Sequence, residues 1–361
     1  ASTIGALVSP HSTVEELYLA GALVRGLGSE NVDYRLRNAD FTAHTGIHWL
    51  GTSIASLSLL QRVLVVGSNL RKDHPLFAQR IRQAARKGCA INAINSVAEV
   101  ATRHAWAMPL ANLQTVPATG WLQALVDVAA AVAAAKGIDA PVKGDVTDAA
   151  QAIAKSLLGG DRKAVLLGNA AAHHAQASQL LALAQWIGTE TGASVGYLTE
   201  AANTVGAQWA GVLPGAGGAH AGQMLAGGLK AVLLLNNEPA MDSAAGAGFD
   251  AALAGASMVV TLSPFKANLD CSDVLLPIAP FTETSGTFVN AEGRVQSFHA
   301  VVKPLGDTRP AWKVLRVLGN LLGLQGFEFE SSQEVLAHVG RAQSAGATHV
   351  SADRLNNAAS A

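Results

Sequence analysis

Short runs of aliphatic and β-branched residues recur along this chain. Most are followed by a stretch whose apolar positions have helical spacing. "IGALVS" (4–9) predicts a buried strand. In "HSTVEELYLAGALVRGLG", Val14, Leu17, Gly21 and Val24 fall on one helical face, with Leu27 or Gly28 completing it. Ser12 and Glu15 have the spacing of a capping box, and Gly28 can take the left-handed stop conformation. "VDYRL" (32–36) predicts the next strand. "RVLVVGSN" (62–69) and "CAINAI" (89–94) repeat the pattern around a helix that opens at Pro75 and stops at Gly88. Residues 101–120 read as irregular, and helices follow at 121–136 and about 149–158.

The second half restarts with "KAVLLGNAA" (163–171), a helix through "ASQLLALAQWIG" and a strand at "ASVGYL". "LKAVLLLNNEP" (229–239), "ASMVVTLSPF" (256–265) and "DVLLPIAPF" (273–281) predict three more strands, the last one buried. Amphipathic helices are expected at 309–323 and 331–340, with a frayed tail from about 345. Apolar strands alternating with helices predict parallel sheets covered on both faces. The expected fold class is α/β, with two doubly wound, mostly parallel domains. Composition shifts at 136–162 place them at 1–150 and 160–323, followed by a short helix and tail over 324–361.

Ligands of open parallel sheets sit beyond the carboxyl ends of the strands. That rule marks Gly67, Ser68 and Asn69, Gly168 and Asn169, Asn236, Asn237 and Glu238, and residues 263–265. A further candidate is "FTETSGTFVNAEGRVQSF" (281–298), where Glu283, Thr284, Ser285, Gly286 and Arg294 follow a strand. Glu283 is either a ligand acceptor or a brace for its own loop, and Arg294 either pairs with it across a hairpin or binds an anion. His44 and His48 have i, i+4 spacing, but Gly46 between them weakens a helix, so a structural role is preferred to a metal site. His173 and His174 follow a strand exit and read as either helix-start or ligand-touching residues. "LPGAGGAHAG" fails the dinucleotide fingerprint at His220 and reads as flexible, and there is no phosphate-binding P-loop.

Composition narrows the classes. A net charge of −1 gives nucleic acid no bulk attraction. The longest apolar stretch, within "VDVAAAVAAAKG", reads as too short to cross a bilayer. Only 14% of residues are charged, a composition that fits either a chain burying surface against partners or an alanine-rich genome bias. Two cysteines, Cys89 and Cys271, are too few and too far apart for a cluster or zinc motif.

"SDVLLPIAPFTETSGTFVNAEGRVQSF" resembles a pattern of the molybdopterin oxidoreductase superfamily. "IGALVSPHSTVEELYLAGALVRGLGSENVDYRLR" and "VLVVGSNLRKDHPLFAQRIRQAARKGCAINAINS" are similar to the branch formed by the large iron–sulfur subunit of bacterial NADH-quinone oxidoreductase (respiratory complex I). The resemblance implies the fold of formate dehydrogenase-like domains 1–3, whose two α/β domains hold a bis-pterin metal cofactor in the enzymes. In the complex I branch that cofactor is taken as lost, and electrons run through iron–sulfur clusters in a preceding N-terminal segment. The reading that follows is a non-catalytic scaffold, the C-terminal part of a longer cytoplasmic subunit. It would carry no metal and no cofactor of its own. Its partners would be that N-terminal segment and other peripheral-arm subunits. The alternative is a catalytic molybdopterin-binding fragment.

Overall fold

The computed structural model describes residues 3–97, 106–342 and 348–358. In chain order the strands are β1 (Ile4–Val8), β2 (Val32–Asp33), β3 (Arg62–Val66), β4 (Ala90–Asn95), β5 (Asn112–Thr115), β6 (Lys163–Leu167) and β7 (Ser194–Tyr197). They continue with β8 (Ala231–Leu235), β9 (Met258–Ser263), β10 (Val274–Pro277), β11 (Gly286–Val289) and β12 (Val295–Phe298).

The strands form two five-stranded parallel sheets, in the orders β10-β9-β8-β1-β2 and β5-β4-β3-β6-β7. β11 and β12 make a separate antiparallel hairpin. The fold is therefore α/β and doubly wound, in line with the alternation of the sequence.

The domain boundaries differ from the expected ones. The chain divides into one unit of residues 1–38 with 201–351, and a second of 39–200 with 352–361. The expected boundary at 136–162 falls inside the second unit. The reason is pairing: β1 lies against β8, more than 200 residues away, with Ala6 opposite Leu233. Linear order hides this, because strand–helix–strand units look alike whichever sheet they join.

In the second unit, the helix Trp121–Lys136 packs with Asp148–Leu158 and Ala177–Thr191 over the sheet. Its Leu125, Val128, Ala129 and Val132 are fully or almost fully buried with Leu64, Val165 and Leu167. Residues Ala118–Lys136 are together long and apolar enough to cross a membrane, contrary to the sequence expectation, but 61% of that window is buried inside the protein. It is a core helix. Gly137, at φ +68, ends it. The segment 352–358 closes the same unit: Asn357 Nδ2 donates to the carbonyls of Trp49 and Val195, and its Oδ1 accepts from Trp49 N–H.

In the first unit, the helix Val14–Gly26 covers β1 and packs against Ala311–Leu321. Its capping box is Thr13 with Glu16, one residue later than the sequence suggested. β10 is not a buried strand. It ends its sheet, and Val274 is 40% exposed. β5, in the stretch expected to be irregular, is the polar edge strand "NLQT".

Candidate functional site

Each sheet has one topological switch point, where successive connections leave in opposite directions and open a crevice at the strand ends. In the second unit it lies between β3 and β6, and the exits 67–69 and 168–169 meet there. Gly67 sits at φ +63, a region that favours glycine, and a Cβ on it would stand 2.7 Å from the Trp121 ring. A Cβ on Gly168 would stand 2.3 Å from Ser68 Cβ and 2.5 Å from Gly67 O. The two glycines therefore let the loops touch. Asp73 closes the first loop, accepting from Ser68 Oγ at 3.0 Å and Asn69 N–H at 2.8 Å. Asn95 Nδ2 donates to Ser68 O from the neighbouring β4.

Around these exits Asn69 Oδ1 and Trp121 Nε1 are buried without a hydrogen-bond partner, and the His74 ring faces the Asn169 side chain. Burial lowers the His74 pKa, against the opposing effects of Asp73 and of a hydrogen bond with the Asn169 side chain, and so favours the neutral ring. Beside this group, His173 Nε2 lies 2.6 Å from Glu200 Oε2, and His174 Nε2 lies 3.0 Å from Ala118 O. Unpaired buried polar atoms are uncommon because each costs roughly 1–3 kcal/mol. Such atoms lie beside the second unit's switch point on Asn69 and Trp121, and beside that of the first unit on Asn237.

The switch point of the first unit, between β1 and β8, is filled differently. Asn236 holds φ +52, a left-handed conformation that asparagine tolerates, and its Nδ2 donates to Ser12 Oγ at 2.9 Å. Asn237 Nδ2 ties the ends of both strands through Leu7 O and Leu235 O. Asp242 Oδ2 accepts from Glu238 N–H at 2.8 Å, repeating the Asp73 arrangement four residues past a strand exit. Asn203, fully buried, donates to Ser12 O and accepts from Val289 N–H. Ser263 Oγ accepts from Phe265 N–H after β9.

The hairpin β11–β12 docks on this switch point. Gly286 lies against Thr13, where a Cβ would stand 2.3 Å from Thr13 Cγ2. Glu15, buried in the helix's first turn, accepts from Thr287 N–H at 2.9 Å and Thr287 Oγ at 2.8 Å. Burial is the largest influence on Glu15 and on the capping Glu16, and each carboxyl is pushed up to about 7. Glu283 accepts from Leu305 N–H and braces its own loop. Thr284 Oγ donates to Ser285 O. Arg294 pairs with Glu292 at 3.1 Å rather than with Glu283.

The other sequence candidates separate from these sites. His44 and His48 lie outside any helix and stack at 3.8 Å between ring centroids, with Tyr197 beyond His48 at 4.9 Å. Among the described residues no three His, Cys, Asp or Glu side chains converge to hold a metal ion. Parts of the glycine-rich stretch are closely packed. Gly215 and Gly218 crowd Glu30, Ala219 N–H donates to Asn31 Oδ1, and His220 caps the helix Ala221–Leu225. Sequence reasoning missed Asp73, His74 and Trp121. Asp73 and Trp121 come from helix ends and His74 from the residue between two helices, and only proximity to a strand exit identifies them. It also missed the buried pair Asp33–Arg35 at the end of β2, which makes two 2.9 Å contacts.

Residues 1–321 match the molybdopterin oxidoreductase family model. The chain belongs to that family. Putative formate dehydrogenases of Staphylococcus aureus strains USA300 and bovine RF122 are 38% and 36% identical over 70 residues, 19% of this chain. That stretch is 7% of each relative's own length. The fold is similar to acetylene hydratase from Pelobacter acetylenicus, at a TM-score of 0.58 and 12% identity. The likeness covers 94% of this chain and 58% of that one, and at this identity it concerns the fold alone.

Proposed function

We propose that this chain is a cofactor-binding α/β portion of a molybdopterin-dependent oxidoreductase, and that the switch point of its second unit takes part of the cofactor. The observation that carries the reading is the pair of unpaired buried atoms on Asn69 and Trp121, with the His74 and Asn169 side chains beside them. These residues suit the edges of a pterin or a nucleobase, which offer N–H and carbonyl groups. Asn69 Oδ1 and Asn169 Oδ1 would accept from ring N–H groups. Trp121 Nε1 would donate, and a neutral His74 can do either. When bound, the group supplies the redox chemistry through its pterin-held metal. Family membership and the putative formate dehydrogenases support this reading over the expected absence of a cofactor.

One structural feature favours a second reading, a non-catalytic scaffold in the peripheral arm of bacterial NADH-quinone oxidoreductase. The backbone N–H groups of Asn69, Glu238, Thr287 and Thr13 are already taken by the chain's own carboxylates, on Asp73, Asp242, Glu15 and Glu16. An anionic cofactor would find these donors occupied. Under this reading the protein sits on the cytoplasmic side, contacts other subunits and a cluster-bearing segment, and supports electron transfer from NADH to quinone without binding pterin.

One experiment separates the two. The chain is purified from a host that synthesises the cofactor, and Mo, W and released pterin are measured by metal analysis and fluorescence. Stoichiometric metal and pterin that fall in an Asn69→Ala, Asn169→Ala double variant support the proposal. No metal or pterin, with peripheral-arm subunits co-purifying, replaces it with the scaffold.

A further inference from the structure

The helix Ala311–Leu321 of the first unit forms one wall of a groove of about 500 Å³, with Leu276, Arg309, Phe329 and Glu330 among the residues opposite. Trp312 and Phe329 line it and are almost fully buried, so they make its floor. Val317 and Leu321 stand one helical turn apart and are 46% and 80% exposed. Large apolar side chains exposed in line along a concave surface mark a binding groove rather than scattered surface residues. The rim at Arg309 is held by backbone: its N–H donates to Pro277 O at 3.4 Å and its carbonyl accepts from Ala279 N–H at 2.9 Å.

The two ends of the groove differ in chemistry. Arg309 and Lys313 lie at the start of the helix, and Val317, Leu318 and Leu321 lie toward its end. Arg316, between them, is balanced by Glu330 at 3.0 Å. Among the described residues no carboxylate pairs with Arg309 or Lys313. Arg309 Nη1 donates to Thr308 O, and Lys313 Nζ stands 5.4 Å from the centroid of the Trp312 ring. From Lys313 to Leu321 the helix rises about 12 Å. Two unpaired cations at one end and an apolar trough leading away from them are complementary to an anion with a hydrocarbon tail. The volume is that of a small-molecule site.

We infer that this groove binds a straight-chain alkyl carboxylate of about eight to ten carbons, a length that matches the rise of the helix. The carboxylate would sit at the Arg309 guanidinium and the Lys313 ammonium, and the alkyl chain would lie along Val317 and Leu321 over Trp312 and Phe329. The inference does not depend on cofactor binding and holds under either reading of function.

The test is isothermal titration calorimetry of the intact chain with octanoate, octanol and octylammonium, each below its aggregation concentration. The expected result is saturable octanoate binding, about tenfold tighter than octanol, with octylammonium weaker still. Added salt should weaken the octanoate and leave the octanol unchanged. Affinity should rise about two- to fourfold per methylene from hexanoate to octanoate. An Arg309→Gln, Lys313→Gln double variant should bring octanoate down to the level of octanol, and Leu321→Ser should weaken both. All three positions are exposed, so the variants should keep the wild-type Tm. No saturable octanoate binding, or octanol binding as tightly as octanoate, overturns the proposal. So does octanoate binding that survives both variants, which would place it elsewhere on the chain. Sedimentation showing a wild-type dimer that Leu321→Ser dissociates would also overturn it and assign the groove to a second copy.

Discussion

The buried Glu15 gives a stability prediction with a worked sign. Its carboxyl is pushed from an ordinary value of 4.5 up to about 7, chiefly by burial, against the opposing bonds from Thr287 and with Glu16 adding to the rise. The folded protein therefore holds this proton more tightly than the unfolded chain. Stability from the neutral acid is complete below pH 4.5 and is lost as pH rises through about 7. A rise of that size corresponds to about 3 kcal/mol, at 1.36 kcal/mol per pH unit. The group is almost wholly buried, so solvent screening takes little from this figure, although local relaxation makes it an upper estimate. Glu15→Gln removes the charge and keeps the shape. Its carbonyl oxygen can accept from Thr287 N–H, and its amide can donate to Thr287 Oγ. The variant should come within about 1 kcal/mol of wild type at pH 5 and exceed it by up to about 3 kcal/mol at pH 8.5. Urea unfolding at both pH values, followed by ellipticity, gives the difference. A variant less stable than wild type at pH 8.5 would refute the reasoning. It would show that the Thr287 bonds outweigh burial and hold the group as a carboxylate.

Gly286→Ala places a methyl against Thr13, the N-cap of a core helix, which cannot swing away without losing its cap. The expected loss is about 1–3 kcal/mol, read as a lower Tm. Gly196→Ala meets Leu50 O where two backbones cross, so it should prevent the second unit from folding, seen as early proteolysis of 39–200. Asn237→Ala leaves Leu7 O and Leu235 O without their side-chain donor at the β1–β8 junction, costing about 1–3 kcal/mol in thermal or urea unfolding.

The strands were legible because parallel sheets bury both faces and so write continuous apolar runs into the chain. β5 was not, because an edge strand reading "NLQT" carries no such run. Of the strand exits named from the sequence, 67–69, 168–169 and 236–238 follow strands that flank a switch point, while 263–265 follows β9, one strand away. Whether each exit is open was not legible. That depends on Asp73, His74 and Trp121 in the second unit, and on Asn203 and the β11 hairpin in the first, which reach the exits from distant parts of the chain.

The helix start shows how tertiary contacts settle what local sequence leaves open. Ser12-x-x-Glu15 and Thr13-x-x-Glu16 are overlapping capping patterns of equal quality. Only one can close, and the fold selects the second because the residues of the first have distant partners. Ser12 Oγ accepts from Asn236, and Glu15 is drawn to Thr287, 272 residues away in sequence. The same choice turns a potential anion-binding helix start into the anchor of the β11 hairpin. If that is the reason, freeing Glu15 should restore the alternative. A Thr287→Ala, Asn236→Ala double variant removes the side-chain partners Thr287 Oγ and Asn236 Nδ2 and leaves Glu15 only the Thr287 N–H, and Thr13→Ala added to it should then cost less than the roughly 1 kcal/mol that it costs in the otherwise wild-type chain. Equal losses in the two backgrounds would mean that local geometry, and not the tertiary partners, fixes the cap.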